Sequence, residues 1–205
     1  MLNIYIARHG QNEDNANGIL NGHRDLPLTK IGIEQAHELA NGIKTFGLTF
    51  DAIYSSPLSR AHKTAEVVAE VLKTHKPKIL ELLIERNFGE MTGKQIRDIE
   101  LLCAPHIVKT ETITYFLSPP GAETFPELLA RATLALDQIR SMHTSGSILL
   151  TTHGDFGKML YAAYYGLNWQ EMLTMFHFGN CELLLLAEGA DGKEPRVIKI
   201  KQYNN

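Results

Sequence analysis

The first eleven residues, Met1-Leu2-Asn3-Ile4-Tyr5-Ile6-Ala7-Arg8-His9-Gly10-Gln11, constrain the fold more than any other stretch. An apolar run of high strand propensity that ends at glycine predicts a buried strand emptying into a loop. Parallel α/β sheets bind ligands in the crevice beyond the carboxyl ends of their strands, so Arg8 and His9 are expected at its mouth. The device recurs at Ser147-Ile148-Leu149-Leu150-Thr151-Thr152, which runs into His153-Gly154-Asp155. Two strands far apart in sequence each deliver a histidine followed by glycine, and that pair forms the core of an expected active site.

Between and beyond these strands the pattern alternates. Residues 12–25 are rich in Asn, Gly and Asp, which predicts a loop. Within it Asn15, Asn21 and Gly22 are placed to meet a ligand, although Asn-Gly is equally a good turn. Pro27-Leu28-Thr29 leads into a helix whose buried face is Ile33, Ala36, Ala40 and Ile43. A second strand over Phe50–Tyr54 ends in Ser55-Ser56-Pro57-Leu58-Ser59-Arg60-Ala61 and a helix. Arg60 then falls near the first helical turn, where its charge opposes the dipole; a bound phosphate would remove that conflict, and a solvated surface arginine is the plainer alternative. Lys78–Leu83 reads as a further strand. Thr124-Phe125-Pro126-Glu127 is a capping box with proline in the first turn, and Asn168 with Glu171 opens a short helix. Glu182–Ala187 and Arg196–Tyr203 read as a closing hairpin across Gly189-Ala190-Asp191-Gly192. The fold class expected is an α/β three-layer sandwich, with a mostly parallel central sheet and an antiparallel edge strand. Residues 1–205 are read as a single domain, with 94–122 as a lid or insert over the site.

Composition narrows the function. With 20 basic and 23 acidic residues the net charge is −3, which leaves no basic stripe for nucleic acid and no polybasic tract for a membrane. A small anion needs only a local pocket. Cys103 and Cys181 stand alone, without zinc or redox spacing, and there is no HExxH. The apolar start is too short for a signal peptide and no run approaches a membrane span; the expected location is cytoplasmic. Gly89–Gln95 imitates a nucleotide P-loop but has the wrong spacing and no Ser or Thr after Lys94.

Arg8, His9, Arg60 and His153 therefore converge on one sheet edge, and a cationic pocket without metal-ligand spacing suits a phosphoryl group. Arg8-His9-Gly10, Ser55–Ala61 and Thr152-His153-Gly154 together resemble the histidine phosphatase superfamily, in its phosphoglycerate-mutase-like branch. The likeness extends over Asn15, Asn21-Gly22, Asp25–Ala36, Glu85–Gly93 and Pro120–Glu123, nearly the whole chain in order. The resemblance implies that His9 is the nucleophile, that Arg8, Arg60 and His153 hold the phosphoryl oxygens with help from Asn15, and that Glu85 is the general acid and base. It also places Asn180 near the substrate. His23 and Arg24 follow Asn21-Gly22 and are expected to extend cationic reach toward the substrate. Asn12 and Asp155 depart from the family's usual residues without touching the catalytic set.

The resemblance covers both phosphatases and mutases. Mutases of the family carry a long insert with adjacent arginines that grip the substrate and exclude water. Here residues 94–122 contain Lys94, Arg97 and Lys109 and no arginine pair, which favours hydrolysis. The expected reaction is hydrolysis of a small phosphorylated metabolite, without a cofactor or metal. The alternative is phosphoglycerate mutase chemistry, with 2,3-bisphosphoglycerate as cofactor, and a non-catalytic phosphate-binding module is the minor one. Expected partners are the phosphorylated substrate or inorganic phosphate, with no nucleic acid or membrane, and a homodimer is left open.

Overall fold

In the computed structural model, which describes residues 1–189 and 192–199, three long apolar runs form the centre of a sheet. In chain order the elements are β1 (Leu2–Arg8), α1 (Glu13–Ala16), α2 (Lys30–Thr45), β2 (Ala52–Ser55), α3 (Ser59–Leu72), β3 (Lys78–Ile79), α4 (Ile99–Cys103), β4 (Ile107–Lys109), β5 (Thr114–Phe116), α5 (Phe125–Met142), β6 (Gly146–Thr152), α6 (Gly154–Tyr165), α7 (Trp169–Met175), β7 (Leu183–Leu186) and β8 (Arg196–Ile198). The six-stranded sheet runs β3-β2-β6-β1-β7-β8. Its first four strands are parallel, and β7 is antiparallel to β1. The reversed strand lies one place in from the edge, because β8 pairs antiparallel outside it.

The strand alternation builds the layers. Tyr5, Ala7, Ile53 and Leu149 face Ala36, Leu39, Ala40 and Ile43 of α2 and Ala65, Val68 and Ala69 of α3. Their neighbours Ile4, Ile6, Tyr54, Ile148 and Leu150 face Leu128, Ala132 and Leu136 of α5 and Phe156, Met159 and Leu160 of α6. A strand buried on both faces reads as a continuous apolar run, which is why β1 and β6 are legible in the sequence. The helix starts follow their caps: Thr29 accepts from Gly32 N–H, Thr124 and Glu127 form the capping box, and Asn168 accepts from Gln170 N–H.

Several expectations change. The stretch over 78–83 has only two strand residues and then a 3₁₀ turn over Glu81–Leu83, because Leu80 and Leu83, three apart, both turn inward. Residues 12–25 contain α1, capped by Asn12. Residues 94–122 contain the β4–β5 hairpin, with Tyr115 and Phe116 buried. The last strand spans Arg196–Ile198; Ala190, Asp191 and the expected strand residues from 200 on lie outside the described residues. Cys103 and Cys181 are unbridged, and among the described residues no helix is long and apolar enough to cross a membrane.

The loop after β1 is clamped against α2 by backbone contact. A Cβ on Gly32 would lie 2.0 Å from the Gln11 carbonyl oxygen, and one on Gly10 would lie 2.4 Å from the Gly32 carbonyl oxygen. Backbone cannot yield as a flexible side chain can. Gly32→Ala is expected to cost about 1–3 kcal/mol by overpacking, at roughly 2–4 °C of Tm per kcal/mol for a chain of this size. An unchanged Tm in thermal denaturation would show that the crossing is looser than described.

Candidate active site

Register brings the predicted residues together. Arg8 pairs with Thr152 across β1 and β6, and Ser55 with Thr151 across β2 and β6. Three adjacent parallel strands therefore end at one level, and the next residues, His9, His153 and Ser56, emerge side by side. His9 N–H still donates to Thr152 O at 3.0 Å and Ser56 N–H to Thr151 O at 2.9 Å. The two imidazoles meet edge to face with centroids 5.0 Å apart.

His9 is 3% exposed and its protonation pattern is determined at both ends. Nδ1 lies 2.7 Å from the Gly10 carbonyl oxygen, which only accepts, so Nδ1 carries the proton and donates. Nε2 accepts from Arg60 Nε–H at 3.1 Å. The free lone pair is thus on Nε2. Burial, then the charges of Arg60 and Arg8, hold His9 well below the ordinary imidazole range, with the Gly10 bond opposing. Around its backbone, Asn180 Nδ2 donates to His9 O at 2.8 Å, and Gly10 N–H donates to Thr64 Oγ1 at 3.1 Å.

Arg60 does sit in the first turn of α3 and is fully buried. Its guanidinium also donates to Arg24 O at 2.6 Å and Gly22 O at 3.0 Å. Burial lowers its pKa to about 10, against the nearby carboxylates of Glu85, Asp25 and Asp14. The exposed α3 terminus is satisfied by Asp25, whose carboxylate accepts from Ser59 N–H and Oγ–H, both at 2.7 Å. Arg8 donates Nη1–H to Phe178 O at 2.6 Å, while its buried Nε–H has no protein partner. His153 Nε2 pairs with Ser56 Oγ at 2.8 Å, and its buried Nδ1 is likewise unpartnered. Buried polar atoms normally have partners, so two orphans beside one imidazole mark a place suited to an anion.

Glu85 is 6% exposed. Its Oε1 accepts from Arg86 N–H at 2.9 Å and Phe156 N–H at 3.1 Å, and its Oε2 from Gly154 N–H at 3.1 Å. The start of α6 thereby orients the carboxyl. Burial, then the negative Asp155, raise its pKa; the N–H donors and Arg60 pull the other way without reversing it.

A cavity of about 1030 Å³ is lined by Arg8, His9, Asn15, Asn21, Arg60, Glu85 and Asn180, and along one side by the β4–β5 hairpin. Asn15 and Asn180 are linked, Oδ1 accepting from Nδ2 at 3.3 Å, and Asn21 Oδ1 accepts from Asn12 Nδ2 at 2.5 Å. Gly22 does not line this space, and His23 and Arg24 do not extend cationic reach into it as expected. Gly22 makes a turn at φ +50 and lends its carbonyl to Arg60. His23 Nε2 lies 2.8 Å from Glu85 O, and the Arg24 side chain turns back to Asp14 at 2.8 Å. His153 is fully buried and meets the His9 ring edge to face. Among the described residues no cluster of three or more His, Cys, Asp or Glu is arranged to hold a metal.

Two basic lining groups, Arg86 and Lys158, were missed in the sequence. Arg86 pairs with Asp155 at 3.0 Å and lies 4.2 Å from the ring centroids of Phe116 and Phe125. Lys158 on α6 also lines the cavity. Lone basic residues inside apolar helical or loop patterns give no local signal, since only the tertiary packing tells an inward cation from a surface one.

The chain is similar to known proteins in sequence and in fold. A 2,3-bisphosphoglycerate-dependent phosphoglycerate mutase of Parvibaculum lavamentivorans is 30% identical over 176 residues, 84% of each chain. The structure of a mycobacterial glucosyl-3-phosphoglycerate phosphatase in complex with VO3 superposes with a TM-score of 0.78 at 21% identity, over 96% of each chain. A phosphoserine phosphatase of Entamoeba histolytica, in complex with 3-phosphoglyceric acid, gives 0.73 at 25% identity over 97% of this chain and 96% of that one. The profile of the histidine phosphatase superfamily (branch 1) matches residues 4–201, and the chain belongs to that superfamily as an enzyme of the phosphoglycerate mutase family.

Proposed function

We propose that the protein is a phosphomonoesterase that hydrolyses a small phosphorylated metabolite through a phosphohistidine at His9. The observation that carries this is the tautomer: the Gly10 carbonyl fixes the proton on Nδ1, leaving Nε2 as a nucleophile beside Arg60 and Arg8. An incoming phosphoryl oxygen takes over the Arg60 Nε–H, and Nε2 attacks phosphorus as the ester oxygen leaves. The protonated Glu85 gives its proton to that oxygen. Water then attacks the phosphohistidine, returning a proton to Glu85 and releasing inorganic phosphate and a free His9. Phosphoryl transfer needs positioned positive charge more than covalent assistance, and covalent catalysis divides one hard displacement into two easier ones. His153 packs edge to face on His9, and its unpartnered Nδ1 is a further polar group for the phosphoryl site. The reaction as written needs neither metal nor cofactor.

The pH dependence follows from two shifts of opposite sign. His9 must be neutral to attack, and its depressed pKa keeps it neutral into acid. Glu85 must be protonated to act as the acid, and its raised pKa extends the protonated form upward. The rate is therefore expected to peak on the acid side of neutrality and to fall as pH rises through the Glu85 pKa. A profile of kcat that stays flat from about pH 5 to 8 would remove Glu85 from that role.

A mutase reading is favoured by the 30% identical relative named as a phosphoglycerate mutase. Hydrolysis is supported by the segment over the cavity: Lys109 pairs with Glu100 and Arg97 lies 4.0 Å from Asp98, both exposed, so no free arginine pair grips a substrate there. Purified protein is to be assayed with an aryl phosphate, and with 3-phosphoglycerate with and without 2,3-bisphosphoglycerate. Phosphate release independent of 2,3-bisphosphoglycerate is expected; isomerisation that requires it would replace the phosphatase reading by the mutase. Absence of both, with no labelled phosphate trapped on His9, would leave a binding module.

A further inference from the structure

Residues 84–87, which carry Glu85, belong to no strand or helix, and side chains claim the carbonyls of this stretch one after another. Arg131, on α5, donates Nη1–H to Leu82 O at 2.8 Å and to Ile84 O at 2.7 Å, and Nη2–H to Glu85 O at 3.2 Å. Thr152 Oγ1 donates to the intervening Leu83 O at 2.7 Å. The remaining Arg131 N–H groups, on Nε and Nη2, go to the Glu123 carboxylate, both at 2.8 Å. A guanidinium has five donors, so Arg131 keeps none for a substrate. Glu123 in turn ties down the far end of the stretch: its N–H donates to Asn87 O at 2.9 Å, and its carboxylate accepts from Asn87 N–H at 3.3 Å.

The same guanidinium lies 4.3 Å from the Phe156 ring centroid, and the Phe156 N–H is one of the three that orient the Glu85 carboxyl. Arg131 thus touches both the backbone that carries Glu85 and the first turn of α6 that aims it. We infer that Arg131, paired with Glu123, is a positioning residue that holds the Glu85 carboxyl in place to serve the leaving oxygen. The inference rests on the phosphomonoesterase reading, in which Glu85 supplies the proton. A displacement of about 1 Å from the productive geometry can cost roughly 10²-fold in rate, and a stretch without helix or ladder bonds depends on side chains to satisfy its backbone. Three carbonyls and a carboxylate surround one planar fork here, whereas lysine offers a single point with three donors. The role has no local sign in the sequence, because the buried positions of α5 are apolar and Arg131 lies beside them.

Arg131→Lys, which keeps the charge, tests it with two esters, an alkyl and an aryl phosphate. Alkyl phosphate turnover is expected to fall by about 10- to 10²-fold in kcat, while aryl phosphate turnover stays within about threefold, because an activated leaving group needs little protonation. Inhibition by inorganic phosphate, which reads the Arg8 and Arg60 cradle, should stay within about twofold. In the Glu85→Gln background Arg131→Lys should change alkyl turnover by no more than about twofold, since residues that act as a unit are not additive. Amide exchange at Arg86, Gly154 and Phe156, the donors to Glu85, should quicken in Arg131→Lys. Should that variant not fold, Glu123→Gln weakens the same clamp and carries the same comparisons. Equal losses for the two esters, the mark of a merely structural role, overturn the inference, as does no loss or a full further loss in the Glu85→Gln background. The two readings fail separately. A wild type that hydrolyses neither ester removes the phosphatase; quickened exchange in the variant then keeps the clamp, and unaltered exchange removes it too. Hydrolysis with unaltered selectivity and exchange removes the clamp alone.

Discussion

His9→Ala is expected to reduce aryl phosphate hydrolysis by about 10⁴-fold or more, the scale on which enzymes lose rate when their nucleophile is removed. The reason is geometric as well as chemical. Nε2 is the lone pair that the Gly10 carbonyl leaves unprotonated, and the Arg60 guanidinium stands 3.1 Å from it. Without the ring, the guanidinium and the orphan Arg8 Nε–H still attract phosphate, so inorganic phosphate should continue to bind. Turnover and binding therefore separate in this variant. Acid-quenched incubation with labelled substrate should label the wild type and not His9→Ala. Near-normal turnover by the variant would remove the phosphohistidine from the mechanism.

Glu85→Gln is the second large effect, a loss of about 10²- to 10⁴-fold from general acid and base catalysis. The loss should depend on the leaving group. An alkyl phosphate needs its departing oxygen protonated and should suffer most, whereas an activated aryl phosphate needs that proton less and should still phosphorylate His9. The variant also has a structural cost. Both Glu85 oxygens accept backbone N–H groups, from Arg86 and Phe156 on one and Gly154 on the other. A glutamine amide can satisfy one of these positions and must turn its own NH₂ toward donors at the other, which costs about 1–3 kcal/mol. A Tm below wild type together with the leaving-group dependence is the expected pair. Equal rate losses for alkyl and aryl phosphates would show that Glu85 holds the fold of the site and does not move the proton.

The parts of the site that the sequence reveals are those with a local cause. A strand buried on both faces has to be apolar, and β1 and β6 end where a charged residue and glycine interrupt the run. Caps such as Thr29, Thr124 and Asn168 satisfy free N–H groups within a few residues, so their pattern survives in the sequence. The β4–β5 hairpin was not legible because its short strands are stabilised by Tyr115 and Phe116 packing on distant residues, not by local alternation. His23 and Arg24 show the opposite error: cations beside a ligand loop suggest reach, but Asp14 and the Glu85 carbonyl claim them.

Sequence alone determined the sheet's central strands and the two histidine-glycine ends, and it pointed to Arg8, His9, Arg60 and His153 by position and to Glu85 through the family resemblance. Only the tertiary structure decided how they meet. Interstrand register places His9 and His153 side by side, carbonyls of Gly10, Gly22 and Arg24 fix the imidazole tautomer and the Arg60 fork, and packing turns Arg86 and Lys158 inward. The physical reason is range: periodicity and capping act over a few residues, whereas hydrogen-bond partners and burial are supplied by segments far away in the chain.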